Sequence, residues 1–159
     1  MGLRVRSVEP ADRARVDAVL HDWNADVVAR RGELVDARRH PALLANEGGR
    51  LAGVLTYVIS ASDCEVLTLH AAESWRGAGT ALLLEVERIA RASGCRRVGL
   101  ITTKDNVDGL RFYQRRGFRL AAVYPGAVDE SRARLKPGIP ETGAHGIPLR
   151  DELELELSL

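Results

Sequence analysis

The sequence predicts one mixed α/β domain spanning residues 1–159, and three observations carry that class. Apolar residues recur with period two in some short stretches and with the period of a helix in others, and the two kinds alternate along the chain. An apolar segment, residues 66–72, runs through a turn holding Gly77 and Gly79 into a helical pattern in which Leu82, Val86, Ile89 and Ser93 share a face. Near the other end, residues 152–159 alternate Glu and Leu as a half-buried strand does, with Leu153, Leu155, Leu157 and Leu159 inward and Glu152, Glu154 and Glu156 outward.

In chain order, Leu3, Val5 and Ser7 alternate with Arg4, Arg6 and Val8, a first strand with one arginine-bearing face. Glu9-Pro10-Ala11-Asp12 opens a helix, because proline fits a first turn and acids suit the positive end of the dipole. Val16, Val19, Leu20 and Trp23 form its buried stripe. A weaker helical periodicity continues over residues 24–39, broken by Gly32, and His40-Pro41 ends it by forcing extended geometry. Residues 42–45 and 51–59 pair as a hairpin around Glu47-Gly48-Gly49. Ala61-Ser62-Asp63 is a second turn leading into a strand over residues 65–72.

The following helix stops at Ser93-Gly94, and residues 97–103 read as a strand. Asp105 or Asn106 caps a short helix that Gly117 closes, with Asn106, Leu110 and Tyr113 on one face. Residues 118–124 form a strand. The Pro- and Gly-rich connection 125–150, with a helical turn around residues 129–135, is long for a compact domain and reads as functional or mobile.

The composition, 45% hydrophobic and 28% charged with a formal net charge of +1, fits a soluble protein. Its charges are spread along the chain, which argues against a nucleic-acid or membrane-surface partner. The first residues lack an apolar signal core and no later run is long enough to span a bilayer, so a cytoplasmic location is expected. Cys64 and Cys95 have no metal or redox spacing and read as buried thiols; His21, His40, His70 and His145 are scattered, so no metal site is expected.

The turn after residue 72 has the chemistry of an anion cradle. The first N–H groups of a helix lack internal partners and lie at its positive end, and small Ala78, Thr80 and Ala81 beside the glycines leave them uncovered. Arg76 adds a fixed charge. Arg76-Gly77-Ala78-Gly79-Thr80-Ala81 resembles the acyl-CoA pyrophosphate motif of the GNAT superfamily of N-acetyltransferases, (Gln/Arg)-x-x-Gly-x-(Gly/Ala). Downstream, residues 106–118 are similar to the same family's Asn-x-x-(small)-x-x-x-Tyr-x-x-x-Gly-Phe segment, through Asn106, Gly109, Tyr113, Gly117 and Phe118. The two motifs stand in the family's order, and the resemblance extends in outline from about Leu3 to Leu159.

The resemblance implies a central mixed, mostly antiparallel sheet flanked by helices, with acetyl-CoA as cosubstrate and no metal. It further implies that the strands 65–72 and 97–103 splay apart around the pantetheine arm, and that the backbone of Leu69, His70 and Ala71 pairs with it. The pyrophosphate would lie on the amides of residues 76–81, with Asn106 as a helix cap that also contacts the cofactor arm. Glu73 stands where the family often has proline.

Tyr113 is the candidate acid. A phenol with a pKa near ~10 holds its proton at neutral pH and can release it to a departing thiolate. The base that deprotonates the amine is less defined; Glu65 is the candidate, with Asp63 beside it. Direct attack needs no covalent intermediate, which agrees with the lack of a Ser-His-Asp or Cys-His signature. The expected activity is acetyl transfer to a primary amine of a small molecule or protein; a CoA-binding sensor without turnover is the alternative. The acceptor region falls to residues 23–39 and 125–150, where acids and arginines interleave without deciding a substrate, and the last strands offer a surface for a homodimer.

Overall fold

The structure, a computed structural model, describes residues 2–72 and 77–159. Its strands form a seven-stranded mixed sheet in the order β1-β4-β5-β6-β7-β9-β8 and a separate hairpin β2-β3, with four α-helices flanking. The strands are β1 (Arg4–Ser7), β2 (Val27–Arg30), β3 (Glu33–Asp36), β4 (Ala42–Glu47), β5 (Arg50–Ser60), β6 (Asp63–Ala71), β7 (Arg97–Thr103), β8 (Arg119–Tyr124) and β9 (Glu152–Ser158). The helices are α1 (Arg13–Asp22), α2 (Ala78–Ala92), α3 (Val107–Arg115) and α4 (Ala127–Arg134). Two compact units divide the chain, one of residues up to Val28 with Asp36–Val98 and Leu159, the other of Ala29–Val35 and Gly99–Ser158.

The first unit is built on an antiparallel ladder in which β4 pairs with both β1 and β5, and β5 with β6. Gly48 and Gly49, both at positive φ (57° and 79°), close the β4–β5 hairpin as a twisted two-residue turn requires. Alternation along the strands sends Leu44 and Val54 to one face, where they bury with Val16 and Leu20 of α1, Ala25 and Ala37. On the other face α2 lies over β5 at Gly53, where a side chain would meet the His70 carbonyl oxygen at 2.9 Å and Leu82 Cδ1 at 3.1 Å. Leu82, Leu83, Val86 and Ala90 of α2 are buried, a stripe at helical spacing. Ser93, expected on that stripe, is instead the exposed residue capping the helix, because Gly94 at φ 79° turns the chain away.

Two buried threonines show how the ladder accommodates polar groups. Thr56 and Thr68 stand opposite each other on β5 and β6 and share a hydrogen bond of 2.6 Å, so neither hydroxyl is stranded. At the start of the unit, Arg6 from the arginine face of β1 holds Asp12 through two contacts of 2.6 and 2.9 Å, fixing the entry into α1. Cys64 and Cys95 are buried free thiols, and burial pushes Cys64 up to about 12.

One element differs in kind from the sequence expectation. Residues 27–36 form the hairpin β2–β3, not a continued helix. Arg31 (φ 51°) and Gly32 (φ 75°) adopt a two-residue turn with both φ positive, and β-branched Val27, Val28 and Val35 occupy the strands. The pair Arg-Gly carries a weaker turn signal than Asn-Gly, which is why periodicity misled here.

In the second unit, β8 pairs antiparallel with β9, with Tyr124 opposite Glu152 and Ala122 opposite Glu154. The 125–150 connection contains α4, two turns long, where one turn was expected. Arg132 pins the rest, donating to the carbonyls of Ile139 (2.9 Å), Pro140 (2.8 Å) and Leu149 (2.7 Å). Asp105, buried, accepts the Thr103 hydroxyl and, at 2.9 Å, the Ala144 amide. The segment is thus tied by side chain-to-backbone bonds in place of a core.

Replacing Gly53 by alanine tests the close packing of α2 on the ladder. The added methyl must displace a backbone carbonyl as well as Leu82, so a loss of about 1–3 kcal/mol is expected in urea unfolding. A variant as stable as the parent would show that α2 shifts freely over β5.

Candidate active site

The end of β6 presents its backbone in register with β5, Leu69 opposite Leu55, His70 opposite Val54 and Ala71 opposite Gly53. His70 stacks on Trp23 with ring centroids 5.2 Å apart and an interplanar angle of 27°. Burial holds its imidazole below the usual pKa, so it is neutral at physiological pH and acts as an apolar packing surface for the strand.

The chain re-emerges at Gly77, whose φ of 91° and ψ of −9° place it in the left-handed region just before α2. A Cβ there would meet nothing within 4 Å, so the backbone angle alone asks for glycine. Ala78, Gly79 and Thr80 form the first turn, and the first bond into the helix is donated by the Ala81 amide to the Gly77 carbonyl at 2.9 Å. Ala81 therefore closes the turn and the amides ahead of it point toward the helix mouth. Arg76, the expected fixed charge, lies outside the described residues, as do 73–75.

The second motif forms α3. Asn106 is its cap: Oδ1 accepts the Gly109 amide at 3.1 Å while Nδ2 donates to Thr102 Oγ1 at 2.9 Å, tying the helix start to β7. A Cβ at Gly109 would run into the Asn106 side chain, the physical reason for a small residue three positions after the asparagine. Tyr113, two turns on, is buried with its ring edge-on to Phe112 and Phe118 at 5.3 and 5.6 Å. Its hydroxyl makes no hydrogen bond among the described residues, and burial pushes the phenol up to about 12. Glu65 is half-buried on β6 opposite Val58, and Asp63 pairs with Arg97 at 3.3 Å.

Among the described residues no group of three or more His, Cys, Asp or Glu is placed to hold a metal, and no helix is long and apolar enough to cross a membrane.

This fold and these motifs have known counterparts. Residues 7–118 match the family model described as the acetyltransferase (GNAT) family. The chain belongs to the GNAT acetyltransferase family. It is 49% identical over 108 residues to YdhI of Bacillus subtilis (strain 168), covering 68% of this chain and 67% of that one. It is 38% identical over 112 residues to YxbD of the same organism, covering 70% of each. Among solved structures, it is similar to an IAA acetyltransferase from Bacillus cereus ATCC 14579 (TM-score 0.72, 19% identity, 99% of this chain and 100% of that one). A Bacillus subtilis acetyltransferase in complex with CoA gives TM-score 0.72 at 20% identity, covering 99% of each chain. The ribosomal-protein-S18-alanine N-acetyltransferase of Escherichia coli gives 0.68 at 14% identity, covering 99% and 94%. At these identities the structural likeness is one of fold, and it agrees with the mixed sheet and flanking helices described above.

The structure also displays a cleft. It is lined by Arg31 and Gly32 of the β2–β3 turn, by Tyr124, Glu152 and Glu154 of β8 and β9, and by one face of α4. Glu152 and Glu154, expected to face outward into solvent, are only 3% and 7% exposed. Their burial has a simple cause: the Arg31 amide donates to Glu152 Oε1 at 3.1 Å, and Glu154 Oε1 receives the Arg31 guanidinium at 2.6 Å and the Tyr124 hydroxyl at 2.7 Å. Alternation of Glu and Leu separates two faces of a strand without saying which is covered. The burial of these two glutamates is what the sequence reading missed, and its one signal was Arg31-Gly32 read as a turn.

The buried phenol gives a pH prediction. A tyrosine whose folded pKa lies near 12 and whose ordinary value is 10.0 binds its proton more tightly in the folded state, so it stabilises fully below pH 10 and that contribution is lost as pH rises toward 12. Stability measured by urea unfolding should therefore fall more steeply over that window in the parent than in Tyr113→Phe. Identical slopes would mean that the phenol is not held apart from water.

Proposed function

We propose that the protein transfers the acetyl group of acetyl-CoA to a primary amine of a small molecule or protein, by direct attack in a ternary complex. The observation that carries this reading is the opening of α2, where left-handed Gly77 leads into a first turn of small residues, Ala78, Gly79 and Thr80. That mouth suits a pyrophosphate through backbone N–H groups and the helix dipole, with Gly77, Ala78, Gly79 and Thr80 contributing, Ala81 completing the turn, and Arg76 adding its charge. The backbone of Leu69, His70 and Ala71 at the end of β6 would pair with the pantetheine amides. Asn106 acts chiefly by positioning α3, since both ends of its side chain are engaged.

Tyr113 is assigned the acid. A phenol with no hydrogen bond among the described residues has its proton free to give, and its raised pKa keeps that proton in place through the physiological range. As the amine nitrogen bonds to the acetyl carbon and the carbon–sulfur bond breaks, the departing thiolate takes this proton. Glu65 is the assigned base from the sequence reading, and it would receive the proton that the amine loses. The relatives crystallised with CoA, and those whose names state acetylation of IAA or of an S18 alanine, support the cosubstrate and leave the acceptor open.

The test is release of free CoA thiol with acetyl-CoA and a panel of polyamines, amino acids, aminoglycosides and peptides. Turnover with at least one amine is expected. Tyr113→Phe should lower kcat by roughly 100-fold or more, within the range of general acid catalysis, while leaving the KM for acetyl-CoA and the melting temperature unchanged. Full turnover in Tyr113→Phe would remove the acid role. Binding of CoA by titration with no thiol release from any amine would make the protein a sensor instead.

A further inference from the structure

The seven-stranded sheet has two outer edges, and they are built differently. β1 is four residues long and carries Arg4 and Arg6, charges that discourage another strand from adding to it. β8 closes the other end, pairing with β9 alone, and over its six residues it has a single charge, Arg119, at the first position. Three of the six large hydrophobic side chains exposed among the described residues lie on it: Leu120 at 52%, Val123 at 57% and Tyr124 at 36%. A solvent-facing edge of this composition is a template for a further strand.

The register with β9 sorts these side chains by face. Residues opposite each other in a ladder share a face, so Leu120 (opposite Leu155) and Val123 (opposite Leu153) lie together on one, and Arg119 (opposite Glu156) and Tyr124 (opposite Glu152) on the other. In a regular strand positions 120 and 123 would alternate to opposite faces. Here the register shift between Leu120 and Ala122 passes over Ala121, and that extra residue puts them on the same side. The strand thereby becomes its own complement. Turned about a two-fold axis normal to the sheet and set antiparallel against itself, it brings Leu120 against Val123, Ala121 against Ala122, and Arg119 against Tyr124, the first and last pairs each on a shared face. No like charges are opposed: Arg119, which makes no hydrogen bond or ion pair among the described residues, meets an aromatic ring fixed by the bond of its hydroxyl to Glu154 at 2.7 Å.

We propose that the outer edge of β8 pairs antiparallel with β8 of a second copy of this chain, centred between Ala121 and Ala122, so that one sheet runs through a two-fold homodimer. Sequence alone points to the last two strands as a dimer surface; β9 lies between β7 and β8, and only the β8 edge is left to pair. The small alanines let the two backbones meet at the centre, and Leu120 and Val123 of each copy cover their counterparts across the axis. Charge agrees with this partner. Exposed Arg115 precedes β8 and the acidic first turn of α4, Asp129 and Glu130, follows it, so the antiparallel arrangement turns the acids of one copy toward the arginines of the other. Val123 and Tyr124 also line the cleft, which brings Arg119 of the partner subunit to its rim. The pairing holds whether or not the chain transfers acetyl groups.

Sedimentation equilibrium of the whole chain over a concentration series tests this, with two double variants beside the parent. Leu120→Lys with Val123→Lys sets like charges opposite each other across the axis, whereas Leu120→Lys with Val123→Glu sets each lysine opposite the glutamate of the other copy. Both place two charges at the same exposed positions, and thermal melts verify that both fold. Paired six-residue strands make a small interface, so the parent should dimerise with a Kd on the order of micromolar. The Lys/Lys variant should weaken the dimer by roughly 100-fold or more, and the Lys/Glu variant should dimerise again. A parent that stays monomeric overturns the proposal. So does a dimer that survives Lys/Lys, which would use another surface, and so does a folded Lys/Glu variant as monomeric as Lys/Lys, which would exclude this register.

Discussion

The contact on which the first unit depends is the approach of α2 to the ladder at Gly53. A carbonyl of β6 and a methyl of Leu82 both occupy the space that a side chain at this position would need. Because the strand and the helix converge on one glycine, the end of β6 and the first turns of α2 are fixed by the same packing. Gly77 then enters α2 in a backbone conformation that other residues adopt at a cost. The position of the helix mouth is therefore a product of core packing.

In the second unit polar contacts do more of the holding. Asn106 joins α3 to β7, Asp105 joins β7 to the late connection, and Arg132 gathers three carbonyls that have no strand or helix partner. These buried or half-buried bonds differ from the many arginine pairs on the surface, such as Arg88 with Glu85 and Arg111 with Asp108. Exposed pairs of that kind contribute little, generally about 0–1 kcal/mol. The arginine-rich composition thus says little about stability, whereas single residues such as Arg132 organise whole segments.

Among the ionisable groups shielded with their neutral forms favoured, which include Cys64 and His70, are Tyr113 and Glu152. Both sit where the surrounding residues are apolar or already paired. Such groups destabilise a fold slightly, and they persist where chemistry or binding makes use of them.

Much of this protein was legible in the residues alone. Period-two alternation located β1, β7 and β9, apolar runs beside turns located β4, β5 and β6, and glycines marked the β4–β5 turn and the end of α2, because those signals are local and each strand or helix carries its own. Asn106 as one of two candidate caps, and the helix face it shares with Tyr113, followed from spacing. Tertiary structure decided what locality cannot. Residues 27–36 became a hairpin because a turn at Arg31-Gly32 outweighed a weak helical period, and that same turn brings Arg31 over β9, where its amide and guanidinium make it possible to bury Glu152 and Glu154. A strand's sequence defines two faces; only the elements that come to cover it determine which of them is inside.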